Sequence, residues 1–359
     1  MAAGDSSEKF EQLSEAKDLS QVIRSNVSEY WAYVKKHADL HRLKPYLHFE
    51  GIVAGDPHLG NFGPIPVMTT QGSREMRFVN IDFDDAGLAP FVLDFVRYIA
   101  AIKAQCHQMK SESLQESYIA GLKGKSCHPP KKVQGFLEMK VADYDKKAAD
   151  FLAGHTAGQN FKMKPGSIEH YDGHLKTAAI EKLFPGEQVL AVAKRVEARG
   201  GNASDVRVWA LVAGAYSRRR IMELKQYAAP GTGQYQEQPV VKHWLAGVRQ
   251  AFWPGLTGVD YDLITIEGGG LFWIREKRVS LIDVPYTSQK KDEVEFVMEL
   301  SAYDANILGQ AHGRQKQGPE YLAAIENDSA EFHEATKELA KAYLDIAKQA
   351  FEKAQASGK

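Results

Sequence analysis

Apolar residues recur at helical spacing over residues 7–40, where Phe10, Leu13, Leu19, Val22, Ile23, Val27, Tyr30, Trp31 and Val34 share a repeating face, so helices are predicted to lead in. From residue 48 the pattern changes to short apolar runs broken by Gly and Pro. "FGPIPVMTT", "QGSR" and "EMRFVNIDF" read together as a β-hairpin turning around Gly72. "APFVLDFVRYIAAIKAQ" returns to helical spacing, with Pro90 near its first turn and Val92, Phe95, Val96, Ile99 and Ile102 on one side. Residues 108–190 read as mainly helical, interrupted by "SCHPPKK" and "MKPGSIEHYDGH". Strand character returns over 203–285 in "DVRVWALVAG", "RRRIMELKQYA", "DYDLITIE" and, after a Gly268–Gly270 turn, "LFWIREKRVSLIDV". "AAPGTGQYQEQP" reads as a loop, and residues 290–359 are helical again. The expected class is α+β, without internal repeats.

Length and charge narrow the picture. A chain of 359 residues holds one large domain or two ordinary ones. Its 45 basic and 46 acidic side chains leave a net charge of −1, which provides no global field for nucleic acid or an anionic membrane. Cys106 and Cys127 each neighbour a histidine; two such pairs make neither a disulfide framework nor a structural zinc set, and ordinary thiols are expected. The polar, acidic N-terminus lacks signal-peptide character, and the longest apolar stretch is interrupted by Asp94 and Arg97. A cytoplasmic protein with no membrane partner is expected.

The candidate chemistry begins in "VAGDPHLGNFG" at residues 53–63. A turn needs Gly, Pro, Asn or Asp, but not all of these plus a histidine. Asp56 and Asn61 stand in the order D-x-x-x-x-N, the spacing with which a kinase catalytic loop places an acceptor-facing carboxylate and a metal-binding amide. The hairpin that follows ends in "NIDFDDAG". If the strand continues through it, Asp82 and Asp84 point one way and Phe83 the other. Two carboxylates about 6 Å apart repel by roughly 3 kcal/mol at an effective dielectric of about 20. A hard cation relieves that repulsion, and Mg²⁺ takes one or two carboxylates with phosphate oxygens and water. Asp94, in the next helix, reads either as an i,i+3 ion pair with Arg97 or as a buried acceptor for the backbone of the catalytic loop.

"GDPHLGN" followed by "IDFDDAGLAPFVLDF" resembles the aminoglycoside and choline phosphotransferase branch of the protein-kinase-like fold. It resembles still more the family called domain of unknown function 2252, which is grouped with kinase-like proteins. The matching positions are Gly55, Asp56, His58, Asn61, Phe62 and Gly63, then Asp82 to Asp85, then Asp94 and Arg97. "FWIREKRVSLIDV", with Arg275, and "LGQAHGRQ", with His312 and Arg314, resemble later segments of that family. The resemblance implies ATP or GTP as donor, Mg²⁺ as cofactor and a hydroxyl acceptor of unknown identity. On that reading Asp56 orients or deprotonates the acceptor and His58 supports the loop or touches the acceptor. Asn61, Asp82 and Asp84 hold the metal, Lys225, Lys277 and Arg275 face the phosphates, and Asp94 and Arg97 support the catalytic loop. Two departures stand out. Ala54 occupies the place of a usual histidine, and in "AGAYSRRRIMELK", the nearest match to a glycine-rich phosphate loop, Tyr216 and Arg219 replace glycines.

Too few residues precede Asp56 to form a nucleotide lobe, and strands with candidate lysines return only later. A circularly permuted, two-lobed kinase-like fold is therefore expected: helices over 1–50, catalytic and metal-binding part over 51–190, strand-rich nucleotide lobe over 191–289, closing helices over 290–359. Two other readings compete. One is a catalytically weak or inactive kinase-like module that binds nucleotide. The other, a metallophosphoesterase, lacks its upstream D-x-H and downstream G-N-H signals; His170 and His174 in "HYDGH" enclose a loop-forming Asp-Gly.

Overall fold

The computed structural model describes residue 13 and residues 16–173, 175, 177–196, 206–214, 219–238, 241–257, 261–282, 284 and 290–357. Two helices lead in, α1 (Leu19–Ser25) and α2 (Val27–Lys36), followed by a 3₁₀ segment at Ala38–Tyr46. The Asp18 side chain caps α1 by accepting from the Gln21 N–H. Strand β1 (Glu50–Val53) runs into the Asp56 loop and a 3₁₀ turn at Leu59–Asn61. Strands β2 (Phe62–Thr69) and β3 (Arg74–Asn80) form the expected hairpin, with Phe62 opposite Asn80 and Gly72 at φ +79° in its turn. Strand β4 (Gly87–Pro90) pairs back onto β1 and leads into α3 (Phe91–Gln105).

Every residue of α3 from Phe91 to Ile102 is buried, so this helix is the axis of the first lobe. Helices α4 (Ser111–Leu122), α5 (Lys131–Leu137) and α6 (Val141–His155) follow it. Phe95 stacks on Tyr118 of α4, with ring centroids 3.9 Å apart. The closing helices α9 (Lys291–Gly313), α10 (Gly318–Asn327) and α11 (Ser329–Ser357) return to this lobe. There α9 packs along α4 and α11 along α3 and α1. Arg42 joins the leading segment to α11 through Glu331 and Glu338.

The stretch 108–190 departs from its helical reading. It contains the small pair β5 (Thr156–Ala157) and β6 (Asn160–Phe161), then β7 (Ile168–His170), the short α7 (Thr177–Glu181) and the start of β8 (Gln188–Arg195). Alanine and lysine in "QVLAVAKR" carry helix propensity, and the sheet overrides it. Strands β9 (Arg207–Ala213) and β10 (Arg219–Gln226) come next, then α8 (Val241–Phe252), β11 (Leu256–Thr257), β12 (Tyr261–Ile266) and β13 (Gly270–Glu276). The second sheet is antiparallel in the order β12-β13-β10-β9-β8-β7, while β11 extends the first-lobe hairpin along β2.

Period-two alternation divides this six-stranded sheet into two faces. Val208, Ala210, Val212, Met222, Leu224 and Phe272 form one apolar face, packed on Ile180 and Phe184. Arg207 and Trp209 of β9, Glu223 and Lys225 of β10, and Trp273 and Arg275 of β13 share the other, as the registers Glu223↔Trp209, Glu223↔Arg275, Lys225↔Arg207 and Lys225↔Trp273 require. That face is turned to the acids of the first lobe.

Candidate functional site

The Asp56 loop is held from three directions. Asp94 lies one turn into the buried stretch of α3, and its carboxylate accepts from Ala54 N at 3.1 Å and Gly55 N at 2.8 Å. Trp31 Nε1 donates to Gly55 O at 2.8 Å from α2. Gly55 has φ +82°, and a Cβ there would meet Asp85 O at 1.9 Å, so this position needs glycine. Asn61 Nδ2 donates to Asp56 O at 2.8 Å and closes the loop from its far end. Behind Asp94, His312 Nε2 lies 3.2 Å from Oδ2, and its Nδ1 meets the Tyr118 hydroxyl at 2.7 Å. The histidine of "LGQAHGRQ" thus braces the loop's anchor, and Arg314 donates to Ala251 O at 2.7 Å.

Arg97 pairs with Asp56 rather than with Asp94. Its Nη2 and Nε approach Asp56 Oδ1 at 2.7 and 3.2 Å, and Nη2 also donates to Ile23 O at 2.6 Å. The i,i+3 pair fails because α3 has no solvated face on which it would form. His58 Nδ1 accepts from Gly60 N, which leaves the proton on Nε2, 3.4 Å from Asp56 Oδ2. Burial alone would raise the Asp56 pKa, but the Arg97 guanidinium, and after it His58, hold it well below the usual carboxylate range. Burial keeps His58 neutral by lowering its pKa against the pull of Asp56.

Strand β3 ends at Asn80, so Asp82 to Asp85 lie in a loop rather than on the expected strand. The alternation persists nonetheless. Phe83 is fully buried among Phe252, Trp253 and Tyr261, while Asp82 and Asp84 meet the second sheet. Asp84 Oδ1 accepts from the Tyr261 hydroxyl at 2.8 Å, and its Oδ2 pairs with Lys225 Nζ at 2.5 Å. Asp82 Oδ1 lies 3.4 Å from Arg275 Nη1. Burial and the neighbouring Asp84 raise the Asp82 pKa, whereas Lys225 and then Arg275 overcome burial to lower that of Asp84. Asp85 accepts from Gly231 N at 2.8 Å, yet burial and the charge of Asp56 push its pKa up to about 7.

A cavity of about 430 Å³ opens between the hairpin and β13, a volume in the small-molecule range. Phe62, Pro64, Ile65 and Ile81 line one wall. Asp82, Arg275 and Lys277 also border it, as do residues 278–282 and 284. Of the three candidate phosphate-facing cations, Arg275 and Lys277 border this cavity, and Lys225 lies behind them against Asp84.

Among the described residues no three His, Cys, Asp or Glu side chains converge as a ready metal set. A magnesium ion carried with a nucleotide needs fewer protein ligands. Asp82 fits, because it borders the cavity and is the more exposed acid, 31% against 9% for Asp84. Asn61 fits through Oδ1, its nitrogen being committed to Asp56 O. Asp84 fits only after Lys225 turns to another anion, since both its oxygens are engaged.

Ala213 pairs with Arg219, so "AGAYSRRR" joins β9 to β10 six positions from Lys225, with Tyr216 outside the described residues. The β8–β9 connection instead adjoins Arg207, directly opposite Lys225; its residues 197–205, with Gly200 and Gly201 in sequence, lie outside the described residues. His174 does too, and His170 stands exposed on β7. Glu223, absent from the sequence reading, is completely buried beneath Arg275. A charged run such as "RRRIMELK" gave no sign that its acid faces inward.

The architecture is a mixed α+β one in which the helical part and an antiparallel sheet meet at a cavity bordered by the acids Asp82 and Glu276 and the cations Arg24, Arg275, Lys277 and Arg278. The sequence family described as "Uncharacterized protein conserved in bacteria (DUF2252)" matches residues 34–121, from α2 through the Asp56 loop, the hairpin and α3 to α4. No curated protein and no solved structure matches the chain. No helix among the described residues is long and apolar enough to cross a membrane.

Proposed function

We propose that the chain is a magnesium-dependent phosphotransferase with a circularly permuted protein-kinase-like arrangement, using ATP or GTP on a hydroxyl acceptor. The observation that carries this reading is the meeting of Lys225 and Arg275 with Asp84 and Asp82 across the cleft, more than a hundred positions apart in sequence. Had the second sheet turned away from the acids, nothing would link the D-x-x-x-x-N loop to a nucleotide.

On this reading the nucleotide lies in the cavity, its base against Phe62, Ile81 and Ile282 and its phosphates toward Asp82, Arg275 and Lys277. Bound magnesium would supply charge neutralisation on the phosphate oxygens. Asp82 and the Asn61 carbonyl hold that ion; Lys225, paired with Asp84, is the cation nearest the acids. Asp56 orients the acceptor hydroxyl. Phosphoryl transfer through a loose transition state asks more for position than for a strong base, which suits a carboxylate held ionised by Arg97. The loop's hydrogen bonds to Asp94, Trp31 and Asn61 supply that position.

Titration calorimetry with MgATP, MgGTP, each nucleotide alone and Mg²⁺ alone tests the reading. Metal-dependent nucleotide binding is expected in the wild type and is lost in a folded Asp82→Asn variant. Unchanged MgATP affinity in that variant, or no nucleotide binding by the wild type, would overturn it. Binding without turnover would favour the inactive module.

A further inference from the structure

Glu223 is a buried acid that the proposed chemistry leaves unused. It sits in the middle of β10, opposite Arg275 on one side and Trp209 on the other. Its Oε1 accepts from Arg275 Nε at 2.8 Å and lies 3.9 Å from Arg207 Nη1. Its Oε2 accepts from Trp209 Nε1 at 3.0 Å and lies 3.6 Å from Lys277 Nζ. A fully buried carboxylate among three cations is costly unless it is paired, and here the pairing is nearly saturated. Burial opposes its ionisation, but Arg275, then Lys277, the Trp209 N–H and Arg207, keep it charged.

The geometry of the cations gives this acid a purpose. Arg275 is gripped through Nε, which leaves its outer nitrogens for other partners, and Nη1 reaches Asp82, which also borders the cavity. Lys277 borders the same cavity and remains 30% exposed. A guanidinium fixed at one edge and an ammonium beside it form a fork whose free donors match phosphate oxygens. We propose that Glu223 is a positioning residue that aims Arg275 and Lys277 as a clamp for the polyphosphate of the ligand. This rests on the nucleotide reading of the cavity and adds the part that recognises the phosphate chain. It differs from a helix-borne glutamate paired to a strand lysine, because the acid here shares its strand with Lys225 and grips the neighbouring strand.

Charge and position make opposite predictions, which makes the proposal testable. Removing a negative charge beside an anion site should tighten anion binding if only the field matters. If position matters, Glu223→Gln weakens it, because the released side chains turn to Asp82 or solvent. The probes are MgATP, inorganic tripolyphosphate and adenosine, titrated into the full chain by calorimetry. In Glu223→Gln, MgATP and tripolyphosphate affinity should fall at least tenfold while adenosine affinity stays within twofold. Lys277→Ala, at a partly exposed position, should show the same split with its fold intact, and decides the matter if Glu223→Gln does not fold. Tighter or unchanged tripolyphosphate binding in a folded Glu223→Gln variant, or equal losses for adenosine and MgATP, would overturn the clamp. So would unchanged polyphosphate affinity in Lys277→Ala. Failure of the wild type to bind MgATP or tripolyphosphate would instead overturn the nucleotide reading on which the clamp rests.

Discussion

Arg97 takes Oδ1 of Asp56 with two nitrogens, so Oδ2, with His58 beside it, is the oxygen that the proposed phosphotransfer would use for an acceptor hydroxyl. On that proposal the pair joins catalysis to stability. Asp56→Asn should retain nucleotide binding and lose turnover by about 10²-fold or more. It should also cost about 3–5 kcal/mol in denaturant unfolding, because it strands the buried guanidinium. Near-normal turnover in the folded variant would return Asp56 to the role of a turn residue. Asp304 presents the opposite case. It is completely buried in α9, neither oxygen has a hydrogen-bond partner among the described residues, and burial raises its pKa well above the usual value. A raised carboxyl pKa means that the native state keeps a proton the unfolded chain has lost. Its contribution to stability therefore declines as pH rises from the ordinary aspartate range of about 4 toward the native-state pKa. Asp304→Asn should unfold much like the wild type at pH 4 and be more stable by about 1–3 kcal/mol at pH 8. A stability difference that stays constant across that range would refute the assignment.

At the scale of elements, the β1 loop and the hairpin were the most legible parts. Glycine, proline and alternating apolar residues act locally, and the hairpin register follows from them. Gly55 is the sharpest local requirement. Gly55→Ala must place a side chain at positive φ against Asp85 O, at a cost of at least about 1–3 kcal/mol. A melting temperature equal to that of the wild type would mean that the loop relaxes around it. Helix α3 was legible as a helix but not in its surroundings. Its apolar face was visible, whereas its burial on every side depends on α1, α4 and α11 arriving from elsewhere, and that redirects Arg97 to Asp56. Strands β7 and β8 escaped the sequence reading because tertiary pairing, rather than residue type, makes them strands. The inward-facing Glu223 escaped for the same reason: its partners come from β9 and β13, and a run of mixed charge ordinarily marks a solvated surface.

Across the whole molecule, the cleft is built from segments with no sequence proximity. Residues 59–60, 62–65 and 81–82 come from the first lobe, and 275–282 from the second. Hydrogen exchange with and without MgATP should therefore show protection in both groups together. Protection confined to one lobe would place the ligand elsewhere. The same construction bears on how the chain is made. As the polypeptide leaves the ribosome, Asp82, Asp84 and Asp85 emerge long before Lys225, Tyr261, Arg275 and the Gly231 N–H that receive their charge. Arg97 emerges early as well, but Tyr30, whose ring lies 5.3 Å from its guanidinium, meets its edge-on partner Tyr343 only when α11 has been synthesised. A nascent chain of two hundred residues thus displays an unneutralised acidic loop and an uncovered central helix. Such an intermediate is a natural client for a chaperone, and a premature stop at any codon before α11 should leave a product for proteases rather than half a folded protein.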